Sequence, residues 1–325
     1  MTTDFPASPQ LSSVQPDSSL ASTPLHRVGD SSTAPSSASR DKASPHLCKL
    51  DALLGMWEAD ATAAHEARVN GTPRGPISGF KALDKELGGA FAPGVHIVHG
   101  QPGAGKTAFA LQVAANCGCP ALYVTCEMSA LELLKRLTAN LTGTFLGRLK
   151  SGELTPAASL ALARQAAVAV PDLALADATQ AYANPFWIRD AALATKGDAK
   201  HLLIIVDSVH SWAESAAHES TEYDALNAAL ATLRGLSHQL SCPVLAIAER
   251  NRDSINKGGL NAGAGTRKIE YGAETVLDLG RDAAVREDAL GEVEIKAKFA
   301  KNRHGAAGRE VTLRFHGALQ KFREM

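Results

Sequence analysis

The fold of this 325-residue chain is decided by one stretch, which reads Gly100-Gln101-Pro102-Gly103-Ala104-Gly105-Lys106-Thr107. It follows an apolar run that predicts a strand, Val95 to His99, and it opens a helical pattern that continues to Ala115. The glycines allow successive backbone N–H groups to point at phosphate oxygens, and the start of the helix adds its positive dipole end. Lys106 can reach the β and γ phosphates of a nucleotide, and the hydroxyl of Thr107 is placed to ligate Mg²⁺. These residues therefore predict a phosphate-binding loop for ATP.

The composition is that of an ordinary soluble globular protein, with 45% hydrophobic and 21% charged residues. The net charge is −1, so contact with nucleic acid would require a local basic patch. The five cysteines form no C-x-x-C pair and predict free thiols in a reducing compartment. No apolar run reaches about 18 residues, and the N-terminus carries no apolar signal segment. We therefore expect a cytoplasmic protein without membrane contact.

Three segments follow one another along the chain. Residues 1–47 are dominated by Ser, Pro, Thr and Ala, and we expect a disordered tail there. Residues 48–75 hold apolar side chains at helical spacing and predict a short amphipathic helix followed by a loop. The apolar stripe of that helix would pack either on its own domain or on a neighbouring subunit. Residues 76–325 predict one ATPase domain.

Strands and helices alternate from about residue 76 onward. This order is typical of an α/β fold with a mostly parallel sheet flanked by helices on both faces. From Thr275 the pattern changes to three strands without long helices, which indicates antiparallel strands at one edge of the sheet. The predicted strands before that point are Val95–His99, Ala121–Cys126, Leu173–Ala176, Leu202–Asp207 and Pro243–Ala248.

Two carboxylates come at the ends of predicted strands, where parallel sheets form their ligand crevice. Asp207 ends an apolar strand and is placed to hold Mg²⁺, although it could instead cap the next turn. Glu127 follows the strand that ends at Cys126 and could orient and deprotonate an attacking water. A glutamate favoured by the dipole of the next helix would look the same. The residues alone leave that choice open.

Two groups of cations are candidates for contact with nucleic acid or nucleotide. The segment from Arg250 to Lys268 is rich in Gly and Asn and suits a phosphate backbone, although a solvated loop would have a similar composition. Its cations are Arg250, Arg252, Lys257, Arg267 and Lys268. The second group, Lys301 and Arg303, lies in a predicted hairpin turn. It could be an ordinary charged turn or could stabilise charge on a transferring phosphate.

Taken together, these residues resemble the RecA-like C-terminal ATPase domain of DnaB-type replicative helicases. The similarity runs in order over about residues 76–325. The matching stretches are I-S-G-F-K-A-L-D-K-E-L-G-G at Ile77–Gly89, C-E-M-S at Cys126–Ser129, R-L-K-S-G-E-L-T at Arg148–Thr155, I-I-V-D at Ile204–Asp207, P-V-L-A-I-A-E-R-N-R at Pro243–Arg252, K-I-E-Y-G-A-E-T-V-L-D-L-G-R-D at Lys268–Asp282 and A-K-N-R-H-G-A-A-G at Ala300–Gly308.

The resemblance implies a role for several of these residues. Glu127 would activate water, and Lys301 and Arg303 would act on ATP bound to the adjacent subunit of a ring, which we expect to be a hexamer. Glu249 stands at the family's sensor position, and the following basic segment would contact single-stranded DNA. The helix near residues 50–67 sits where the family has a linker helix that packs on its neighbour.

Three departures from the family bear on function. Glu249 replaces the usual Gln and, when ionised, cannot donate a hydrogen bond. The loop predicted from Trp212 to Tyr223 carries acidic residues where a DNA-contacting loop would be basic. The family's N-terminal helical domain has no counterpart, so we expect no assembly or primase contact through such a domain. The leading hypothesis is ATP-driven translocation on DNA and unwinding. The alternative is a regulatory or accessory RecA-like ATPase that binds DNA or a protein without unwinding.

Overall fold

The computed structural model describes residues 47–216, 221–249, 272–281 and 287–325. The chain divides into two compact units, residues 1–54 and 55–325. In the first unit, the described residues contain a 3-10 turn at Asp51–Leu53 and the first residue of helix α1. The disordered tail predicted for residues 1–47 lies almost wholly outside the described residues.

The described helices and strands follow the predicted alternation. The helices are α1 Leu54–Asn70, α2 Lys81–Glu86, α3 Lys106–Asn116, α4 Ala130–Thr142, α5 Leu146–Lys150, α6 Pro156–Ala169, α7 Pro185–Lys196, α8 Val209–Ala216 and α9 Glu222–Leu240. The strands are β1 Gly94–Gly100, β2 Ala121–Thr125, β3 Leu173–Asp177, β4 Leu203–Asp207, β5 Pro243–Glu249, β6 Thr275–Arg281, β7 Glu292–Asn302, β8 Glu310–His316 and β9 Lys321–Glu324. Within the described ranges, no helix is both long and apolar enough to cross a bilayer.

These strands form one sheet in the order β3-β2-β4-β5-β1-β6-β7-β8-β9. Strands β3, β2, β4, β5, β1 and β6 are parallel to one another, whereas β7, β8 and β9 are antiparallel to their neighbours and extend one edge. The predicted fold class, a RecA-like α/β sheet with antiparallel strands at one edge, is confirmed. The prediction of three strands from Thr275 is wrong in number, because a fourth, β9, pairs with β8.

Both faces of the parallel strands are buried. In β4, Leu203 and Ile205 belong to one apolar cluster, and the alternating Ile204 and Val206 belong to a second. Helices α3 and α4 pack in the first cluster, and α7, α8 and α9 pack in the second. A sheet covered on both faces requires such a continuous apolar strand. Asp207 lies at the carboxyl end of this strand.

The segment after β4 differs from the sequence prediction. Trp212 to Ala216 belongs to helix α8 rather than to a loop, and Trp212 is buried and donates from its indole nitrogen to the carbonyl of Ala183 at 2.8 Å. An apolar face packed against the sheet stabilises this short helix, which the acidic residues of the segment obscured. The remainder of the predicted loop includes residues 217–220, which lie outside the described residues.

Candidate active site

The phosphate-binding loop connects the end of β1 to the start of α3, as its sequence predicts. Gly103 and Gly105 have φ angles of 83° and 82°, a left-handed conformation that glycine adopts without strain. A Cβ atom on Gly105 would lie 2.9 Å from Cζ of Phe322, so the C-terminal strand leaves no room for a side chain there. The main chain of the loop is therefore held in a conformation that presents backbone N–H groups.

Lys106 lies directly over this loop. Its Nζ donates hydrogen bonds to the carbonyl oxygens of Gly100 at 2.9 Å and Gln101 at 3.4 Å. The ammonium group is thus held at the loop by the same backbone that a nucleotide would approach. A cation in this place can pair with phosphate oxygens.

A cavity of about 330 Å³ opens beside the loop. Its walls come from the loop, from the carboxyl ends of three strands and from the C-terminal edge of the sheet. They include Lys106, Thr107, Glu127, Arg136, Asp207, Ser208, Glu249 and Gln320. The positions of Glu127, Asp207 and the loop at strand ends predict that they share one cavity, and the structure places them together there.

Asp207 is the most buried carboxylate of this cavity, with 4% of its surface exposed. The hydroxyl of Tyr123 donates to its Oδ2 at 2.6 Å. Burial raises the pKa of Asp207, while hydrogen bonds from Tyr123 and Thr107 act to lower it. Thr107 and Asp207 are thus close neighbours at the start of α3 and the end of β4, where both could face one cation.

Glu127 accepts hydrogen bonds from two serine hydroxyl groups. Ser208 Oγ donates to Glu127 Oε1, and Ser211 Oγ donates to the same oxygen at 3.1 Å. The two hydroxyl oxygens are themselves 3.2 Å apart. The two hydroxyl groups hold the Glu127 carboxylate at the wall of the cavity, where it can still accept a hydrogen bond. Sequence reasoning missed both serines, whose only signal was their spacing of three residues directly after Asp207.

Glu249 ends β5 and lines the same cavity. Its backbone N–H donates to Nδ1 of His210 at 3.3 Å. Burial lowers the pKa of His210, although the carboxylate of Glu249 and other glutamates nearby act to raise it. A neutral imidazole is what this hydrogen bond requires, since a protonated Nδ1 could not accept it.

Arg136 is a cavity residue that sequence reasoning did not single out. It lies on α4, donates from Nη1 to Oε1 of Gln320, and has its Nε 3.7 Å from Oε1 of Glu132. On the sequence it is one more cation on an amphipathic helix, four residues after a glutamate. Only the fold brings that helix face to the loop and to the C-terminal edge of the sheet.

Lys301 and Arg303 lie at the opposite end of the sheet from the loop. Strand β7 reaches Asn302, which pairs with Thr275 at the start of β6, and Thr275 in turn pairs with His96 near the start of β1. The phosphate loop follows the other end of β1. The four residue steps from His96 to Gly100 already span roughly 13 Å. The backbone of these two cations is therefore remote from the cavity of their own chain, and neither residue lines it.

The predicted DNA-contacting cations lie outside the described residues. They are Arg250, Arg252, Lys257, Arg267 and Lys268. Their segment leaves β5 directly after Glu249 and returns before β6. By chain position, the segment therefore begins next to a residue that lines the cavity.

Comparison with known proteins identifies a matching family model and several curated relatives. The family model described as the DnaB-like helicase C-terminal domain matches residues 75–324. The replicative DNA helicase DnaB of Pasteurella multocida is 25% identical over 265 residues, which cover 76% of this chain and 55% of that protein. DnaB of Treponema pallidum is 26% identical over 262 residues, covering 76% and 56% respectively.

Two solved structures share the fold. One, described as an ATPase domain, superposes with a TM-score of 0.69 at 20% identity, covering 83% of this chain and 98% of that one. A DnaB-like replicative helicase, described with its interactions with primase, gives a TM-score of 0.71 at 21% identity and covers 85% and 68%. The chain spans a little over half the length of the curated relatives that it matches.

Proposed function

Because the chain belongs to the family of DnaB-like helicase C-terminal domains, we propose that it is a motor that couples ATP hydrolysis to movement along single-stranded DNA during replication. One observation carries this proposal. The phosphate loop, Glu127 and Asp207 surround a single cavity at the carboxyl ends of the parallel strands. The groups proposed to bind phosphate, to activate water and to bind the metal thus line the same cavity.

The cavity fits a nucleoside triphosphate with Mg²⁺. The left-handed glycines and Lys106 suit the phosphates, and Thr107 and Asp207 would hold the metal. Within the described ranges, no group of three or more His, Cys, Asp or Glu residues could hold a metal by itself. That fits Mg²⁺, which commonly takes one or two protein ligands and completes its shell with water and phosphate. When bound, Mg²⁺ supplies positive charge against the phosphate oxygens.

Glu127 is the general base of the proposed mechanism. Its carboxylate faces the cavity and would orient the attacking water and accept its proton. Ser208 and Ser211 would fix the carboxylate by their bonds to Oε1, so that Oε2 is directed at the water. Lys106 would hold the phosphates throughout, at the end of the loop that it already contacts.

The second half of the site would come from a neighbouring subunit. Lys301 and Arg303 lie too far from their own phosphate loop, which supports action on the nucleotide of the next subunit. Such a head-to-tail contact is heterologous and closes into a ring when the rotation permits. We propose a hexameric ring, in which the two cations stabilise charge on the transferring phosphate.

DNA would follow the basic segment from Arg250 to Lys268. The segment begins next to Glu249, which lines the nucleotide cavity, so a change at the γ phosphate could reach it through one residue. An ionised Glu249 accepts hydrogen bonds only, and coupling would therefore pass through water or Mg²⁺ rather than through a donated bond.

Steady-state ATPase and strand-displacement assays test this proposal. We expect turnover to be strongly stimulated by single-stranded DNA, together with displacement of an annealed strand. Lys106→Ala should abolish both activities, while Lys200→Ala, an exposed lysine that precedes β4, should change neither. Turnover indifferent to DNA would reject the motor and would favour a regulatory ATPase.

A further inference from the structure

Glu274 forms hydrogen bonds both with strand β1 and with the hairpin that carries Arg303. It directly precedes β6, where its backbone N–H donates to the carbonyl of Val95 at 2.7 Å. Its own carbonyl accepts the N–H of Arg303 at 3.0 Å. The main chain of Glu274 is therefore fixed on both sides, between β1 and the end of β7.

The side chain of Glu274 is directed at the same hairpin. Its Oε1 accepts a hydrogen bond of 2.8 Å from Nη1 of Arg303, and its Oε2 lies 3.3 Å from Nε2 of His304. Gly94 leaves the space that this carboxylate needs, since a Cβ there would lie 2.2 Å from Cγ of Glu274. The Glu274 side chain is 20% exposed and that of Arg303 is 50% exposed.

The backbone around Arg303 is anchored independently of this ion pair. The Asn302 side chain donates to the carbonyl of Glu86 at 2.7 Å and accepts the N–H of His304 at 3.0 Å. A Cβ on Gly305 would lie 2.7 Å from the same Glu86 oxygen, so the hairpin fits closely against α2. Once the backbone is fixed, the orientation of the long Arg303 side chain is what remains to be set.

We propose that Glu274 is a positioning residue for Arg303, whose guanidinium it orients toward the nucleotide of a neighbouring subunit. The inference rests on the proposed function, which assigns Arg303 to that nucleotide. A guanidinium has five N–H donors in a rigid fork, so an arginine can hold a carboxylate and a phosphate at the same time. A carboxylate bound to one side of the guanidinium limits the rotamers that Arg303 samples before the nucleotide of the neighbouring subunit binds.

A purely structural ion pair predicts a different result. An ion pair with a half-exposed partner contributes little to stability, so its loss should leave both the fold and turnover nearly unchanged. A positioning role predicts loss of turnover without loss of the fold. The melting temperature and kcat, measured on the same variants, therefore distinguish the two roles.

The test uses Glu274→Ala and Glu274→Gln in the full chain with saturating single-stranded DNA. We expect Glu274→Ala to lower kcat about tenfold, with KM for ATP and the melting temperature nearly unchanged. Glu274→Gln keeps one acceptor oxygen and the packing against Gly94, and should lose less. The matched control is Glu153→Ala, which removes a half-exposed ion pair with Arg148 of 2.7 Å and should leave kcat unchanged.

A double-mutant cycle shows whether Glu274 acts through Arg303. Arg303→Lys keeps the charge without the fork, and adding Glu274→Ala to it should cause no further loss of kcat. Independent, additive losses, or a wild-type kcat for both Glu274 variants, would overturn the inference. If Arg303→Ala itself leaves turnover intact, the proposed shared site fails instead, so the two failures are distinguishable.

Discussion

The hydroxyl of Tyr123 donates a hydrogen bond of 2.6 Å to Oδ2 of Asp207, and the two residues lie on the adjacent parallel strands β2 and β4. Tyr123 is fully buried and Asp207 is 4% exposed. The carboxylate that would hold Mg²⁺ therefore has one oxygen fixed from inside the sheet. A hydrogen bond with Thr107 acts on the same carboxylate, which lines the cavity.

Tyr123→Phe removes that hydroxyl and keeps the ring. We expect the protein to lose about 1.5–3 kcal/mol of unfolding free energy, because a buried carboxylate loses a donor. The Mg²⁺ concentration needed for half-maximal hydrolysis should rise about tenfold, as is typical when a residue that orients a metal ligand is removed. Urea unfolding and Mg²⁺ titration of turnover measure the two effects. Tyr182→Phe, at a half-exposed tyrosine on Trp212, should change neither.

Mixing two inactive variants tests whether the site is shared between subunits. Glu127→Gln removes the proposed base, and Arg303→Ala removes the cation supplied by the neighbour. In a random equal mixture, about one quarter of the heterologous interfaces would join an intact Glu127 to an intact Arg303. We expect turnover to recover toward that fraction of wild type, measured as phosphate release.

A second mixture controls for this experiment. Lys106→Ala and Glu127→Gln both damage the loop side of the interface, so no pairing of these two variants restores a complete site. This mixture should stay inactive. If it recovers as much activity as the first mixture, or if neither recovers, the assignment of Arg303 to the neighbouring nucleotide is wrong.

The buried side-chain amide of Gln112 links helix α3, which follows the phosphate loop, to strand β9. Gln112 donates from Nε2 to the carbonyl of Phe322 at 2.9 Å, and its Oε1 accepts the N–H of Phe322 at 2.8 Å and Asn140 Nδ2 at 3.0 Å. Gln112→Leu should cost about 2–4 kcal/mol, because it leaves buried backbone groups without partners. Gln165→Leu, at an exposed position of α6, should change the urea midpoint little.

Sequence predicted the parts of the site that local patterns determine. The phosphate loop and Glu127 follow predicted strands and Asp207 ends one. Because the carboxyl ends of parallel strands meet at one edge of a sheet, these residues are expected to lie together. The contacts of Ser208 with Glu127 and of Arg136 with Gln320 span 81 and 184 positions of the chain, which no local pattern records. Strand β9 has four residues, too few to show a period of two.

The buried histidine of β1 should make stability depend on pH. His96 places Nε2 2.8 Å from the carbonyl of Ala92 and Nδ1 2.9 Å from the hydroxyl of Thr275, which suits a neutral ring. Burial lowers the pKa of His96 from 6.5 to about 4; the hydrogen bond with the Ala92 carbonyl opposes this shift, His304 adds to it and Glu274 opposes it. Between these two pKa values the unfolded chain binds more protons than the folded one, so acid favours unfolding.

The wild-type protein should therefore lose about 2 kcal/mol of unfolding free energy through this residue between pH 7.5 and pH 5. His96→Gln removes the titrating group and should reduce the pH-dependent loss by that amount, although its stability at pH 7.5 should itself be lower. Urea unfolding at the two pH values measures both quantities. His238→Gln, at an exposed position near the end of α9, should retain the wild-type pH dependence. An equal loss in the wild-type and His96→Gln proteins would show that other groups, and not His96, bind the protons that unfold the domain.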